Sequence, residues 1–257
     1  MGSVVRWFKG SFALCRREWL RFGRQPSRLV ATVATPLLFW LFLGLGLGSA
    51  LPTGESSYLA YFFPGGLCLL ILFASIFSSI SLIEDRNQGF LQGVLTSPLP
   101  RSAIVFGKVL GGSTLATVQA CLLLPAVPLM GFRLTVQSWL VLLVGIWATS
   151  LALTALGFLF AWRFNSVQGF HGVMNLVLVP MWLLSGSFFP LEKATVWLKP
   201  LMYANPLTYA LEGFRISLGT SGGTAGLSVW GSLMAVLGFG LLCFLGSVFL
   251  VERERGV

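Results

Sequence analysis

Six apolar segments divide the chain. Each is long enough to cross about 30 Å of hydrocarbon, which takes roughly 20 residues in an α-helix. No charged residue lies in any of them, and they cover residues 29–50, 58–83, 109–131, 137–161, 172–190 and 228–251. The pattern predicts an all-α integral membrane fold with six transmembrane helices, in a single domain that covers residues 1–257.

An amphipathic helix is predicted before the first span. Its apolar side chains recur at gaps of three and four residues, which places them on one helix face: Val5, Phe8, Phe12, Cys15, Trp19 and Phe22. A short basic helix with bulky aromatic residues suits the cytoplasmic interface of a membrane, so residues 1–28 are expected to form an interfacial helix. Two roles remain open: a passive anchor, or a lateral element through which substrate in the inner leaflet reaches the spans.

Composition and charge agree with a membrane protein and predict its orientation. Apolar residues make up 56% of the chain and charged residues 10%, against about 25% charged residues in soluble domains. If the amino terminus is cytoplasmic, 13 of the 17 basic residues lie on the cytoplasmic side, as the positive-inside rule requires. Both termini are therefore expected in the cytoplasm, with the chain in the plasma (inner) membrane. The net charge of +9 then needs no nucleic-acid partner.

The cytoplasmic connection after the second span, residues 84–108, is too long and too patterned to be a simple turn. Glu84, Asp85 and Arg86 close the span, and Ser97–Pro98 ends a short helix. One side of this helix is apolar and carries Phe90, Leu91, Val94 and Leu95. An apolar helix face at the edge of the cytoplasm must be buried from water. Either a groove on a soluble partner or the membrane surface can bury it.

A second patterned stretch lies on the external side. It reads LLSGSFFP at residues 183–190 and YANPLTYALEGFR at residues 203–215. Pro190 ends the fifth span, and Asn205 before Pro206 is a typical helix start, with Asn as the cap and Pro at the first helical position. We expect residues 191–219 to enter the outer leaflet without crossing it.

Both stretches resemble the signatures of ABC-2 type permeases, the membrane subunits of one class of ATP-binding-cassette exporters. The cytoplasmic match is Glu84, Gly89, Leu95–Thr96–Ser97–Pro98–Leu99, Arg101 and Gly107–Lys108; the external match is the pair of stretches just quoted. The resemblance implies that residues 84–101 form a coupling helix seated in a cleft of a separate ATPase subunit. It also implies that residues 191–219 form a re-entrant helical pair at the outer end of the translocation path.

The resemblance assigns roles to two sets of residues. Coupling to the ATPase is expected from Glu84, Asp85, Gly89, Leu91, Leu95, Ser97, Pro98 and Arg101. An external gate is expected from Ser185, Gly186, Pro190, Asn205, Pro206, Tyr209, Glu212 and Arg215. Glu212 and Arg215 are three residues apart and near enough to pair. Whether they contact substrate or only one another is open.

The function implied by the resemblance is ATP-driven export of a hydrophobic or lipid-linked substrate, such as a drug, a lipid or a glycan. No GxxxxGK[ST] loop is present, so ATP and Mg²⁺ are expected on the partner ATPase and no catalytic or metal site in this chain. The other expected partners are membrane lipid and a second permease copy, as a homodimer rather than a heterodimer. A secondary transporter, which would need an ion-coupling residue, and a membrane scaffold without transport are the alternatives.

Overall fold

The computed structural model describes residues 2–48, 58–189, 191–220 and 228–253. Along these ranges the chain forms α-helices joined by short turns. They are α1 (Gly2–Gly23), α2 (Pro26–Gly48), α3 (Tyr58–Asn87), α4 (Phe90–Thr96), α5 (Arg101–Cys121), α6 (Ala126–Leu129), α7 (Val136–Ala161), α8 (Val167–Trp182), α9 (Lys199–Ala204), α10 (Pro206–Leu218) and α11 (Val229–Arg253). The fold is therefore all-helical, as the sequence predicts. Pro190, the last two residues of the predicted span 29–50 and both ends of the predicted domain 1–257 lie outside the described residues.

Five helical stretches in the described part of the chain are long and apolar enough to cross a membrane. They are Tyr58–Asn87, Arg101–Leu129, Val136–Ala161, Val167–Ser187 and Val229–Arg253. A shorter apolar stretch, Val30–Gly46, lies within α2. The protein is accordingly a multi-pass membrane protein.

Helix ends differ from the predicted ones where a cap or a proline decides them. The third predicted span, 109–131, is divided into α5 and α6 by turns, because Pro125 cannot continue a regular helix. The fifth, 172–190, begins earlier than predicted, since the Ser166 hydroxyl accepts a hydrogen bond from Gly169 N and caps α8.

Helix α3 forms the centre of the domain. It packs against α2, α5, α7, α8 and α10, and Phe62, Phe63 and Ile71 are completely buried. Glycine permits the closest of these contacts: a Cβ atom added to Gly66 would lie 2.9 Å from Trp40 Cδ1 of α2, and one added to Gly65 2.8 Å from Ser187 Cβ. Neighbouring elements therefore approach α3 closely along its outer half.

Helix α1 does not stand apart from the spans, but packs lengthwise against α5 with the same chain direction. Hydrogen bonds mark the register: Trp7 Nε1 donates to Ser102 Oγ at 3.1 Å, and Trp19 Nε1 donates to Thr114 Oγ1 at 3.0 Å. The inner face of α1 carries Ser11, Leu14, Cys15 and Glu18, all buried. Most of the predicted apolar stripe lies on the other side, with Phe8 and Phe12 62% and 69% exposed.

Two glycines of α5 allow this contact. A Cβ atom at Gly107 would lie 2.6 Å from the Ser11 carbonyl oxygen, and one at Gly111 would lie 3.1 Å from Cys15 Cα and from Glu18 Cβ. Because several of these atoms belong to the backbone, α1 cannot yield by a side-chain rotation alone. The GxxxG spacing of Gly107 and Gly111 thus serves helix contact within one chain.

We expect Gly111→Val to push α1 away from α5. Overpacking of this kind costs about 1–3 kcal/mol, and it should also make the buried Cys15 thiol accessible. Purified protein in detergent should show a lower thermal transition and faster labelling of Cys15 by a maleimide. Gly238→Val is the matched control, because nothing lies within 4 Å of a Cβ atom there. Equal effects of the two variants would contradict the assignment.

Candidate functional site: an ion cluster between three helices

Six charged side chains from three helices meet where α1, α3 and α5 come together, and we call them the ion cluster. They are Arg17, Glu18, Arg21, Glu84, Asp85 and Lys108. Asp85 lies at the centre and is completely buried. Arg17 Nη1 donates to Asp85 Oδ2 and Arg17 Nη2 to Asp85 Oδ1, both at 2.7 Å. Arg21 Nη1 donates to Asp85 Oδ1 at 2.7 Å, and Lys108 Nζ donates to Asp85 Oδ2.

The outer pairs of the ion cluster complete its connections. Lys108 Nζ also donates to Glu18 Oε1 at 2.5 Å, and Arg21 Nη2 donates to Glu84 Oε2 at 2.5 Å. Lys108 and Glu18 are each 4% exposed in their side chains. Buried charges are tolerated only when paired and hydrogen-bonded. The ion cluster therefore fixes the positions of α1, α3 and α5 relative to one another.

Arg17 is held in its charged form by this arrangement. Burial works against the charge, but the hydrogen bonds and the charge of Asp85, with that of Glu18, outweigh it and raise the pKa of the Arg17 guanidinium above its ordinary value. The Arg17 guanidinium carbon also lies 3.5 Å from the centre of the Phe90 ring. Arg17 thus bonds to the end of α3 and stacks on the first residue of α4.

Helix α4 is joined to α3 by Gly89 in a left-handed conformation, with φ at 75°. The turn directs the apolar side of α4 back onto the chain itself. Leu91 is 2% exposed, and Leu95 is half-buried against the main hydrophobic core. At the other end, Ser97 Oγ donates to the Val94 carbonyl at 2.6 Å, and Pro98 lies at the surface.

The expectation that this apolar face needs an external cover is corrected by these contacts. The chain covers Leu91 and Leu95 by itself, because the Gly89 turn folds α4 under the helix bundle. The surface that α4 presents outward carries the polar side chains of Gln92 and Thr96 together with Gly93, all exposed and spaced as residues of one helix face are. We call these three residues the outer ridge of α4.

A separate set of bonds ties the end of α3 to the connection between α7 and α8. Arg86 Nη2 donates to the Trp162 carbonyl at 2.7 Å, and Arg86 Nη1 donates to the Phe164 carbonyl at 3.1 Å. The Arg86 guanidinium also lies over the Trp162 ring, 5.1 Å from its centre. Residues 84–86 thus contact α1, α5 and the α7–α8 connection at once.

The predicted coupling residues differ in how far they are exposed at the surface. Asp85 and Leu91 are buried inside the chain, Glu84 is partly exposed but paired with Arg21, and Arg101 begins α5. Asp85 and Leu91 therefore face this chain's own helices and present no surface to a partner in this conformation.

At the opposite end of α3, the external segment is organised by polar side chains that bond to main-chain carbonyls. Asn205 Oδ1 accepts from Leu207 N at 3.0 Å and caps α10 before Pro206, as predicted, and Asn205 Nδ2 donates to the Met181 carbonyl at 2.5 Å. Thr208 Oγ1 donates to the Met202 carbonyl, and Tyr209 OH donates to the Tyr203 carbonyl. These bonds join α8, α9 and α10 into one unit.

Gly186 is the other fixed point of the external segment. A wide π-type turn, Leu183–Ser187, follows α8, and Gly186 within it has φ at 93°, a conformation that favours glycine. Ser185 Oγ donates to the Trp182 carbonyl at 2.6 Å.

Arg215 closes the contact between this turn and α10. Arg215 Nη2 donates to the Gly186 carbonyl at 2.9 Å, and its guanidinium carbon lies 4.9 Å from the centre of the Tyr61 ring. These contacts of Arg215 go to Gly186 and Tyr61 rather than to Glu212, which is also buried.

The sequence reasoning assigns Arg17, Glu18, Arg21 and Lys108 to no functional site, and it does not single out Asn175 of α8, which lies outside the ion cluster. Glu18 and Lys108 lie 90 positions apart, and no local pattern connects them; an acidic residue inside a basic helix is the one signal available. Asn175 is exposed on α8, within an apolar span, and an amide at such a position is also a signal that could have been used.

Comparisons with known proteins agree on a single family. Residues 10–219 match the family model described as ABC-2 type transporter. The chain is 26% identical over 251 residues to the inner membrane transport permease YadH of Escherichia coli K12, covering 94% of each chain. It is 25% identical to the daunorubicin resistance ABC transporter permease protein DrrB1 of Streptomyces coeruleorubidus, covering 80% of this chain and 74% of that one. It is 32% identical to ycf38 of Porphyra purpurea, covering 79% and 72%.

Lys108→Met should destabilise the protein strongly, because it leaves the Glu18 and Asp85 carboxylates close together without the cation between them. Removing one partner of a buried pair costs on the order of 3 kcal/mol. The free energy of unfolding, measured by titration with sodium dodecyl sulfate in mixed micelles, should fall by that amount.

The double variant E18Q/K108M tests whether the loss is electrostatic. Since Glu18→Gln removes the carboxylate that Lys108 neutralises, the double variant should regain about half of the lost free energy. Lys193→Met, at an exposed position, controls for the loss of one lysine. An additive double variant would contradict direct pairing of Lys108 with Glu18.

Proposed function

The chain belongs to the ABC-2 type transporter family, and from that premise we propose that it is the membrane subunit of an ATP-driven exporter. In this proposal a separate ATPase subunit binds and hydrolyses ATP with Mg²⁺. The permease moves a hydrophobic or lipid-linked substrate out of the cytoplasm or the inner leaflet. The observation that carries the proposal is the ion cluster, which connects α4 to three helices of the bundle.

The proposed topology has six spans, formed by α2, α3, α5 with α6, α7, α8 and α11. Helix α1 lies at the cytoplasmic interface, and both termini are cytoplasmic. Two observations support it: the distribution of the basic residues, and the contact of α4 and the ion cluster with the ends of α3 and α7 and the starts of α5 and α8. The external segment 191–219 then lies at the outer end as a re-entrant pair, α9 and α10.

We place the ATPase against the outer ridge of α4. Gln92, Gly93 and Thr96 are exposed on the side away from Leu91, so a cleft on the ATPase can receive them while the apolar side of α4 stays on the bundle. Polar side chains suit a contact that must form and release during each cycle. The remaining coupling residues position the outer ridge and do not contact the ATPase themselves: Gly89 sets the turn before α4, and Ser97 and Pro98 end the helix.

Movement of α4 then passes to the spans through short, charged contacts. A push on α4 displaces Phe90 and with it Arg17, which carries α1. The same push acts through residues 84–86 on α3, on Lys108 of α5 and on the α7–α8 connection. ATP binding favours one arrangement of the ATPase pair, and this linkage makes it favour one arrangement of the spans.

A second permease copy is proposed against α8, as a homodimer. Only 22% of the apolar window of this helix is buried within one chain, the smallest share among the five candidate spans. Gly172 and Asn175 lie on its exposed side. An amide exposed to hydrocarbon is costly, and small residues allow close helix approach. A partner helix, or a path between two copies, would satisfy Asn175 where lipid cannot.

The substrate class follows from the surfaces that the described residues offer within the membrane. A groove of about 390 Å³ between α5, α7 and α11 is lined by apolar side chains, among them Phe106, Leu151 and Phe244. DrrB1 is named for resistance to daunorubicin. Both observations support a hydrophobic molecule, and drug, lipid and lipid-linked glycan share that property.

Gln92→Arg should uncouple the permease while leaving it folded. A long cation on the outer ridge obstructs the proposed cleft, so ATPase binding should weaken by about tenfold or more. ATP-dependent substrate export from proteoliposomes should fall to background. Binding is measured by surface plasmon resonance on the purified permease, export in the reconstituted complex, and folding by the thermal transition, which should not change.

Gln137→Arg is the matched control, because Gln137 is equally exposed but lies at the opposite end of the bundle. Normal export by the Gln92→Arg variant would exclude the outer ridge as the docking surface. Export without ATP hydrolysis would instead identify a secondary carrier, and ATPase binding without any export would identify a scaffold.

A further inference from the structure

The outward surface of α1 carries charge that the ion cluster does not use. Lys9, Arg16 and Arg24 are exposed, and among the described residues none of the three has an acidic partner within 4 Å. Lys9 and Arg16 are seven positions apart, which keeps them on one side of α1, and Arg24 follows in the turn directly after the helix. We call these three residues the basic stripe.

The basic stripe borders an exposed aromatic stripe directly. Phe12 lies three positions after Lys9 and four before Arg16, so the three are neighbours on the helix surface. Phe8, Phe12 and Trp19 are 62%, 69% and 41% exposed, although each is a large apolar side chain. A helix with an apolar edge beside a cationic edge lies at the boundary between hydrocarbon and head groups.

From these observations we propose that the basic stripe binds the head groups of anionic phospholipids in the cytoplasmic leaflet. The aromatic stripe enters the hydrocarbon, and Lys9 and Arg16 beside it lie within reach of the phosphates. Charge complementarity identifies the occupant: an ammonium and two guanidinium groups select a lipid with net negative charge over a zwitterionic one. The inference rests on the cytoplasmic placement of α1 proposed above.

The position of Arg17 and Arg21 separates their role from that of the basic stripe. Arg17 pairs with Asp85, and Arg21 pairs with Asp85 and Glu84, so both are neutralised within the protein. The cations that remain lie beside the aromatic stripe, on the side of α1 away from its buried contacts with α5, and there we place the membrane surface. An acidic surface of the ATPase is the competing occupant, and the experiment below distinguishes the two.

Lipid binding is measured on the full-length permease without its ATPase. The result can therefore be interpreted even if the proposed ATP-driven export is wrong. Protein is equilibrated in vesicles of equal phosphatidylcholine and phosphatidylglycerol and extracted. Retained lipids are counted by native mass spectrometry. A basic residue at an anionic membrane surface favours anionic lipid about fivefold. The wild type should retain phosphatidylglycerol preferentially, and the double variant K9Q/R16Q should lose that preference by about tenfold or more.

The matched control is R163Q/R253Q, which removes the same charge from two exposed residues outside the basic stripe. It should retain phosphatidylglycerol as the wild type does. Raising the salt from 0.1 M to 1 M shortens the screening length from about 10 Å to about 3 Å and should reduce the wild-type preference.

Three results would overturn the proposal. They are a wild type without lipid preference, a control variant that loses as much preference as K9Q/R16Q, and a K9Q/R16Q variant that keeps its lipid but fails to bind ATPase added in a separate binding assay. The last result would assign the stripe to the ATPase. Circular dichroism of each variant excludes unfolding as the cause.

Discussion

A carboxylate removed from water needs positive charge around it, and Asp85 has three cations drawn from two other helices. This requirement organises the end of the helix bundle at which α3 ends and α5 begins. Satisfying Asp85 brings α1 against α3, places Lys108 of α5 between two carboxylates, and leaves Arg17 to stack on α4. A neutral Asp85 would leave Arg17, Arg21 and Lys108 without the carboxylate that they share, and the contacts of α1 and α4 with the spans would weaken.

Close approach of the backbones is the second condition, and glycine meets it. Lys108 reaches both Glu18 and Asp85 because Gly107 and Gly111 let α1 lie against α5 without intervening side chains. At the outer end, the same principle appears in a different form. Gly186 turns the chain in a conformation that favours glycine, and its carbonyl becomes the acceptor for Arg215. Arginine side chains thus contact both ends of α3. At one end Arg17 and Arg21 bind the Asp85 carboxylate, and at the other Arg215 packs on Tyr61 while it donates to the Gly186 carbonyl.

The membrane-spanning pattern and the two family signatures are readable from the sequence because they are local. Uncharged stretches give the spans, and the Asn205–Pro206 cap gives the start of α10. The direction in which α4 faces is not local: it depends on the left-handed turn at Gly89, and the apolar residues Leu91 and Leu95 have the same spacing whichever way they point. The ion cluster is also beyond local reasoning, since Glu18 and Lys108 are equally compatible with solvent until the packing of α1 on α5 is known. Helix ends at Ser166 and Pro125 depend on caps and turns that hydropathy does not register.

The separation of the ion-cluster residues along the chain has a consequence for biogenesis. Arg17 precedes Asp85 by 68 positions and Glu18 precedes Lys108 by 90. At ribosomal rates of about 5–20 residues per second, the first helix therefore exists for on the order of ten seconds before its last partner has been made. Until Asp85 has been made, Arg17 and Arg21 lack the carboxylate that they share in the folded protein, and Glu18 waits longer still for Lys108. The contacts of the ion cluster therefore form only after α5 has been synthesised, so the assembly of this end of the protein is a late step of biogenesis.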